Sequence, residues 1–218
     1  MSTDLFAVYG ASGFGREVMP LARRQVVKQG IAVDRLVFVD DKPEAETVNG
    51  HRVLRYAEFL TQPARTRHAV FAVSNGSIRQ ALAARLAADG VQAWSVRAEN
   101  VVMMDSVELA EGAVLCPFVT LTSNIRIGRH FQGNIYSYVA HDCVIGDFVT
   151  FAPGVMCNGN VVVEDNAYIG TGAVIKQGKP GQPLVIGNGA VVGMGAVVTK
   201  SVPRGVTVVG NPARLLER

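Results

Sequence analysis

The chain has 218 residues, 49% hydrophobic and 18% charged, so it can bury a sizeable core and does not read as disordered. A scattered net charge of +3 argues against a nucleic-acid partner, and no apolar run reaches transmembrane length, so no membrane role is expected. The opening residues lack a basic stretch followed by an apolar one, which leads to the expectation of a cytoplasmic protein.

Residues 4 to about 98 alternate between strand and helix patterns. Leu5-Phe6-Ala7-Val8-Tyr9 is a short apolar strand that ends in Gly10-Ala11-Ser12-Gly13-Phe14-Gly15. A helix is expected from about Arg16 to Lys28, with Pro20 compatible only near its first turn. Leu36-Val37-Phe38-Val39 is a second strand, closed by Asp40-Asp41-Lys42-Pro43. Thr61-Gln62-Pro63 reads as loop. Ala69-Val70-Phe71-Ala72-Val73 is a third strand, followed by Ser74-Asn75-Gly76 and a helix from about Ser77 to Ala88. Such alternation implies a parallel, Rossmann-like α/β sheet with ligands at the strand C-termini. The glycine turn permits close backbone approach, and a helix N-terminus attracts phosphate. Asp40, at the end of the next strand, is placed for a ribose hydroxyl. The turn fits a dinucleotide-dependent oxidoreductase, a reduced module holding the nucleotide part of a substrate, or a turn with no ligand. About three strands and no Tyr-x-x-x-Lys dyad favour the second.

A different period takes over near Trp94 to Val101, dividing the chain at residues 1–98 and 99–218. Every sixth residue from Leu109 to Ile175 is aliphatic or small and apolar: Leu109, Leu115, Leu121, Ile127, Gly133, Val139, Ile145, Phe151, Cys157, Val163, Ile169, Ile175. A second ladder, mostly small or β-branched, runs two residues earlier, from Val107 to Ala173. A six-residue period fits neither one helix nor one strand. It fits a hexapeptide β-helix that turns a corner every six residues. After an eleven-residue step the ladder resumes at Ile186, so residues 176–183 should leave the rod as a loop at a corner. Val208-Val209-Gly210-Asn211-Pro212-Ala213-Arg214 reads as a turn that stops the array.

Four histidines are present. His51 and His68 fall outside any recognisable constellation and read as surface residues; His130 falls at a corner. His141 is followed by Asp142, and because Val139 points inward the pair lies at or just past a corner, near the outer surface. An imidazole beside a carboxylate can accept a proton near neutral pH, although a lone exposed histidine is the plainer alternative. Cys143 and Cys157 sit on the ladders, where cysteine fills space, and Cys116 completes an odd count with no CxxC. His130 and His141 are the array's only histidines, too few for a three-histidine zinc site, so no metal is expected.

The Tyr-Gly-Ala-Ser-Gly-x-Gly opening, the Val-Asp-Asp turn, His-Asp-Cys-Val-Ile-Gly-Asp within a hexapeptide array and the Val-Val-Gly-Asn-Pro-Ala-Arg ending resemble the NeuD/PglD-type bacterial sugar acetyltransferases, over essentially the whole chain. The resemblance implies a Rossmann-like domain followed by a left-handed parallel β-helix. It implies acetyl-CoA as co-substrate, a nucleotide-linked amino sugar as acceptor, and a homotrimer with active sites between subunits. It makes His141 the general base, Asp142 the carboxylate that supports it, and Gly159 the glycine whose N–H stabilises the oxyanion. Thr150, Thr171, Gly193 and Met194 match positions on the acetyl-CoA side. Ser12, Gly13, Phe14, Asp40 and Asp41 match the nucleotide-sugar pocket, closed by Ser74 and Asn75. Thr150 and Phe14 stand where some members carry histidine, and Met194 where they carry glycine. The expected activity is N-acetylation of a nucleotide-linked amino-deoxy sugar. O-acetylation of sialic acid or another sugar hydroxyl is the alternative, and a non-catalytic sugar-nucleotide-binding scaffold a third reading.

Overall fold

The computed structural model describes residues 4–217. The first region runs β1 (Leu5–Tyr9), α1 (Gly13–Lys28), β2 (Leu36–Val39), β3 (Thr47–Val48), β4 (His51–Leu54), α2 (Tyr56–Thr61), β5 (Arg67–Phe71), α3 (Gly76–Ala88) and β6 (Gln92–Ala93). Its sheet has six strands in the order β3-β4-β2-β1-β5-β6, parallel throughout except for the β3–β4 hairpin. Strand alternation divides the core. Phe6, Val8 and Phe38 pack with Val18, Met19 and Ala22 of α1, while Leu5, Ala7 and Val37 pack with Phe59 and Leu86 on the opposite face.

Several local expectations are corrected here. The sheet has twice the expected three strands, because β3, β4 and β6 are too short or too polar to stand out. Residues 56–61, partly read as loop, form α2, whose first turn is closed by Glu58 accepting from the Arg55 N–H at 2.7 Å. Helix α1 starts three residues before the expected Arg16, which puts Pro20 well inside it. A proline there has no N–H to donate to the Arg16 carbonyl, a cost offset by the buried Val18, Met19, Leu21 and Ala22 around it. His51 is buried, not on the surface: it fills space behind β2 with Nδ1 3.3 Å from the Leu36 carbonyl.

The second region is a triangular rod of three parallel sheets. The first face holds Val96–Arg97, Val114–Leu115, Gln132–Gly133, Thr150–Phe151, Tyr168–Ile169 and Val191–Val192. The second holds Val102–Met103, Thr120–Leu121, Tyr138–Val139, Met156–Cys157, Val174–Ile175 and Val197–Val198. The third holds Val107–Leu109, Ile125–Ile127, Val144–Ile145, Val161–Val163 and Leu184–Ile186. Most strands pair with the strand eighteen residues on, as Tyr138 with Met156; the step is twenty-three residues from Tyr168 to Val191, across the inserted loop, and sixteen from Val191 to Thr207 in the last coil. Both ladders point inward and merge into one core from Leu115 to Val208. A fully buried aliphatic side chain there is worth about 1.5–3 kcal/mol over an exposed one, so each coil is stable only against its neighbours.

The corners explain the period. Every sixth residue from Ser106 to Gly172 lies in the left-handed region, with φ between 55° and 75°. Glycine, asparagine and aspartate take this conformation most easily, and Gly112, Asn124, Asp142, Gly154, Asn160, Asn166 and Gly172 hold it here. The 176–183 segment leaves at the corner between second and third faces, as expected, and folds on itself through the Lys179–Gln182 pair. The parallel array ends in an antiparallel hairpin of Thr207–Val209 with Arg214–Leu215.

The two regions share one seam. Val96, Ala98, Val114 and Cys116 of the rod belong to the same apolar cluster as α1. Arg79 of α3 is 1% exposed and reaches into the rod. Its guanidinium donates to the carbonyls of His130 (3.0 Å), Phe148 (2.6 Å) and Val73 (2.7 Å) and to Gln132 Oε1 (3.3 Å). Gln132 in turn donates to the Phe71 carbonyl at 2.8 Å. Burial pulls the Arg79 guanidinium down to about 9, still cationic near neutral pH.

Candidate active site

Two constellations lie on different edges of the rod. The first is the corner between second and third faces. Asp142 holds the left-handed position of that corner (φ 58°), which turns its carboxylate back onto the preceding ring. Asp142 Oδ2 lies 2.8 Å from His141 Nδ1, and Asn124 donates to Asp142 Oδ1 at 3.4 Å from the coil below. The hydrogen bond from His141, more than any other influence, holds the Asp142 carboxyl below the usual carboxylate range. An ionised carboxylate only accepts, so Nδ1 donates to Asp142 and the neutral ring leaves Nε2, beside Gly159, as the acceptor of an exposed side chain.

Gly159, one coil on, forms the floor of this corner. A Cβ at that position would stand 2.5 Å from Nε2 and Cε1 of His141, so any larger residue would push the imidazole aside. Next to it, Asn158 accepts from the Tyr138 hydroxyl at 3.0 Å and donates to the Ile175 carbonyl at 2.8 Å. Cys143 points into the rod, where Sγ donates to the Asn158 carbonyl at 3.2 Å, as its ladder position requires.

The second constellation joins the glycine turn to the rod's first face. A cavity of about 290 Å³ is lined by Gly13, Phe14, Glu17 and Ser74 from the α/β region and by Gln132, Asn134, Thr150, Tyr168 and Thr171 from the rod. The turn's glycines have separate jobs. A Cβ at Gly15 would collide with the Gly10 carbonyl, which fixes the close packing of turn on helix, whereas a Cβ at Gly13 would meet only open space. Gly13 is thus free for close approach by a ligand at the amino end of α1, beside the exposed Ser12.

Asp40 ties this turn down: Oδ2 accepts from the Ala11 N–H at 3.0 Å and Oδ1 from the Lys42 N–H at 2.9 Å. Asp41 faces a different cluster, accepting from the Tyr9 hydroxyl at 2.8 Å and from Arg85, whose guanidinium stacks 4.2 Å above the Tyr56 ring. Asn75 caps α3, its Oδ1 accepting from the Ile78 N–H at 3.0 Å. Thr150 is buried and donates to the Ser74 carbonyl at 2.8 Å, across the seam. Thr171 and Met194 occupy equivalent places on successive coils of the edge between first and second faces, linked by the Gly195 N–H to the Thr171 carbonyl at 2.8 Å. Met194 is 81% exposed, and Gly193 leaves room for Val209 Cγ1 beneath it.

Sequence reasoning missed Glu17, Asn134, Asn158 and Tyr168. The last three lie at outward or corner places of the same six-residue rows, so the ladder phase could have shown them facing out. Nothing in the local sequence marks Arg79. Among the described residues no three His, Cys, Asp or Glu side chains group to hold a metal, and no helix is long and apolar enough to cross a membrane.

Comparison with known proteins adds to this geometry. The family model for the PglD N-terminal domain matches residues 6–86. A GDP-perosamine N-acetyltransferase of Escherichia coli O157:H7 is 50% identical over 184 residues, covering 84% of this chain and 83% of that protein. The structure of WeeI from Acinetobacter baumannii AYE superposes with a TM-score of 0.95 at 58% identity, over 98% of this chain and all (100%) of the other. The acetyltransferase domain of PglB from Neisseria gonorrhoeae FA1090, solved with acetyl coenzyme A, superposes at 0.84 with 29% identity, over 99% of this chain and 100% of that one. The rod is accordingly a left-handed β-helix behind a Rossmann-like domain. The chain belongs to the NeuD/PglD-type family of hexapeptide-repeat sugar acetyltransferases, and it is an acetyltransferase that uses acetyl-CoA.

Proposed function

We propose that the chain acetylates the amine of a nucleotide-linked amino-deoxy sugar, GDP-linked as in the relative from Escherichia coli O157:H7, with His141 as general base in direct transfer. The observation that carries this reading is the shared cavity, in which the glycine turn and the amino end of α1 meet the rod's first face. A diphosphate suits the free N–H groups of that helix end, and the sugar would then lie against the rod.

In the reaction the amine nitrogen attacks the thioester carbonyl, the N–C bond forms and the C–S bond breaks. His141 Nε2 takes the amine proton and returns it to the departing thiolate. Asp142 holds the ring in the tautomer that leaves Nε2 free. Gly159 and Thr171 are assigned the oxyanion and acetyl-CoA sides, with Thr150, Gly193 and Met194. Ser12, Gly13, Phe14 and Ser74 are assigned to the nucleotide sugar and the walls of its pocket, and Asp40, Asp41 and Asn75 to the segments around it. Asp40 and Asn75 would act there by holding the turn and the α3 cap in shape.

His141 and the cavity lie on different edges, separated by the second face. The outward residues of that face, Val102, Thr120, Tyr138, Met156, Val174 and Val197, are at least partly exposed and all but Thr120 are apolar or aromatic. A homotrimer in which this face meets a neighbouring rod would carry His141 of one copy to the Thr171 edge of the next. Such an arrangement is the reading we adopt for the intersubunit site.

Thiol release from acetyl-CoA, measured with GDP-perosamine, UDP- and dTDP-linked amino sugars and sialic acid, tests the acceptor. Fastest turnover with sialic acid would replace N-acetylation by O-acetylation. His141→Ala should lower kcat about a hundredfold or more, and a near-normal kcat would sink the base assignment. Sedimentation should give a trimer, and a fully active monomer would refute the shared site.

A further inference from the structure

The cavity holds one formal charge, and it has the wrong sign for a nucleotide. Of the residues that line it, Glu17 is the only Asp, Glu, Lys, Arg or His, and the rest of the polar lining is uncharged. A carboxylate beside a diphosphate would be repelled, so the group that meets Glu17 in a bound substrate has to offer protons. Its position says which part of the substrate that is. Gly13 and Glu17 stand four residues apart on α1 and therefore on one face, with Glu17 about 6 Å further along the axis. That offset is comparable to the span of a pyranose from its anomeric oxygen to the opposite substituent. A phosphate at the amino end of α1 would thus leave the far end of the sugar at Glu17. The carboxylate also faces the rod: its charge adds to burial in raising the Cys116 thiol to about 12, and Cys116 lies one coil below Asn134 on the same edge.

Resting on the proposed nucleotide-sugar acceptor, we infer that Glu17 is a specificity residue that receives the protonated amine of the acceptor sugar and so selects amine over hydroxyl. A sugar amine is largely protonated before it reacts, and a carboxylate pairs with an ammonium more strongly than with a hydroxyl. The carboxylate acts in recognition: one ammonium proton passes to water to free the amine, and His141 takes the second as the N–C bond forms and returns it to the thiolate. Glutamine matches glutamate in size and helix preference, so Glu17→Gln tests the charge without disturbing α1.

The experiment is calorimetric titration of the full chain, saturated with CoA to prevent turnover. Three probes are used: GDP-perosamine, GDP, and the GDP-linked 6-deoxyhexose with a hydroxyl in place of the amine. Glu17→Gln should weaken GDP-perosamine about tenfold, while GDP and the hydroxyl analogue stay at their wild-type affinities. Equal weakening of all three would mean that Glu17 serves the nucleotide or the turn, and weakening of both sugars alike would mean that it reads shared hydroxyls. Either result overturns the assignment, as does unchanged binding of GDP-perosamine. Wild-type protein that binds none of the GDP probes would remove the GDP-sugar reading itself, and the assignment with it.

Discussion

The rod and the α/β region solve the same packing problem by different means. In the rod one rule is repeated: two extended residues, a corner, and a left-handed residue every sixth position from Ser106 to Gly172. Outward residues fall into rows of fixed phase, so a functional side chain can be placed at a corner without changing the core behind it. Val139 and Cys143 stay buried on either side of the exposed His141–Asp142 pair. In the α/β region the site depends on single contacts that do not repeat. Gly15 exists because the Gly10 carbonyl lies where its side chain would be, and Asp40 because the turn needs its N–H groups held. A repeat exposes its site to view; an aperiodic fold hides its site in single contacts. The seam between them is where neither rule applies, and there the comparison can be broken.

The largest effect is expected at Arg79. Arg79→Met would leave the carbonyls of His130 and Phe148 and the Gln132 amide oxygen without their buried donor, costing about 3 kcal/mol or more. Urea unfolding followed by Trp94 fluorescence, which reports the α/β side, and by far-UV circular dichroism should then split into two transitions, because the rod keeps its own continuous core. One coincident transition at the wild-type midpoint would show that the apolar contacts of α1, not the guanidinium, hold the seam.

A smaller effect, and one with a pH signature, is expected at His130. Its ring stacks on Phe148 at 5.1 Å and tilts against Phe71 at 5.2 Å, with Nδ1 buried over Gly112 and without a partner among the described residues. Burial first, then the Arg79 and Arg129 cations, depress its pKa from 6.5 to about 4. Between these values the unfolded chain binds the proton and the folded chain does not, so stability rises with pH across the window. The contribution is complete above the unfolded value and disappears as pH falls through the folded one. It amounts to about 3 kcal/mol. His130→Phe removes the titration, and the rod already holds Phe118 and Phe148 in the same left-handed geometry. Unfolding free energies at the two ends of the window should differ less in this variant than in the wild type. An unchanged slope would assign the pH dependence to other groups.

What was legible in the sequence follows the same division. The ladders gave the inward rows of the rod's middle coils, and with them the outward turn of His141 and Asp142 and the loop after Ile175, because six-residue spacing is a property of neighbours in sequence; His130, Gln132, Phe148 and Thr150 lie off the ladders and are buried as well. The half-burial of Val107 and Leu109 was not visible, since it depends on the first coil having no coil beneath it. In the α/β region the apolar strands β1, β2 and β5 stood out by composition. β4 did not, because His51-Arg52-Val53-Leu54 carries two polar residues and its His51 is buried only by the neighbouring strand. Arg79 reads as an ordinary helix-surface cation until the rod is placed against α3. The carboxylates of the nucleotide turn show the limit most clearly. Asp40 and Asp41 are adjacent in sequence, yet one holds the glycine turn and the other joins Tyr9 and Arg85.

Thr150 gives the finest test of the comparison, because it is a rod residue in regular phase that is used by the seam. Its place in the outward row of the first face, between Gln132 and Tyr168, suits a contact to acetyl-CoA as well as it suits a hydrogen bond to the Ser74 carbonyl. The two roles separate on substitution. Thr150→Val keeps the β-branched shape and removes only the hydroxyl, so the loss of one buried hydrogen bond should cost about 1 kcal/mol of stability. If the hydroxyl serves the seam, the KM for acetyl-CoA stays at its wild-type value, while the KM for the nucleotide sugar rises as the Ser74 segment loosens. A rise in the acetyl-CoA KM with stability unchanged would reverse the assignment and make Thr150 part of the CoA channel, with the seam held by Arg79, Gln132 and the apolar cluster of α1.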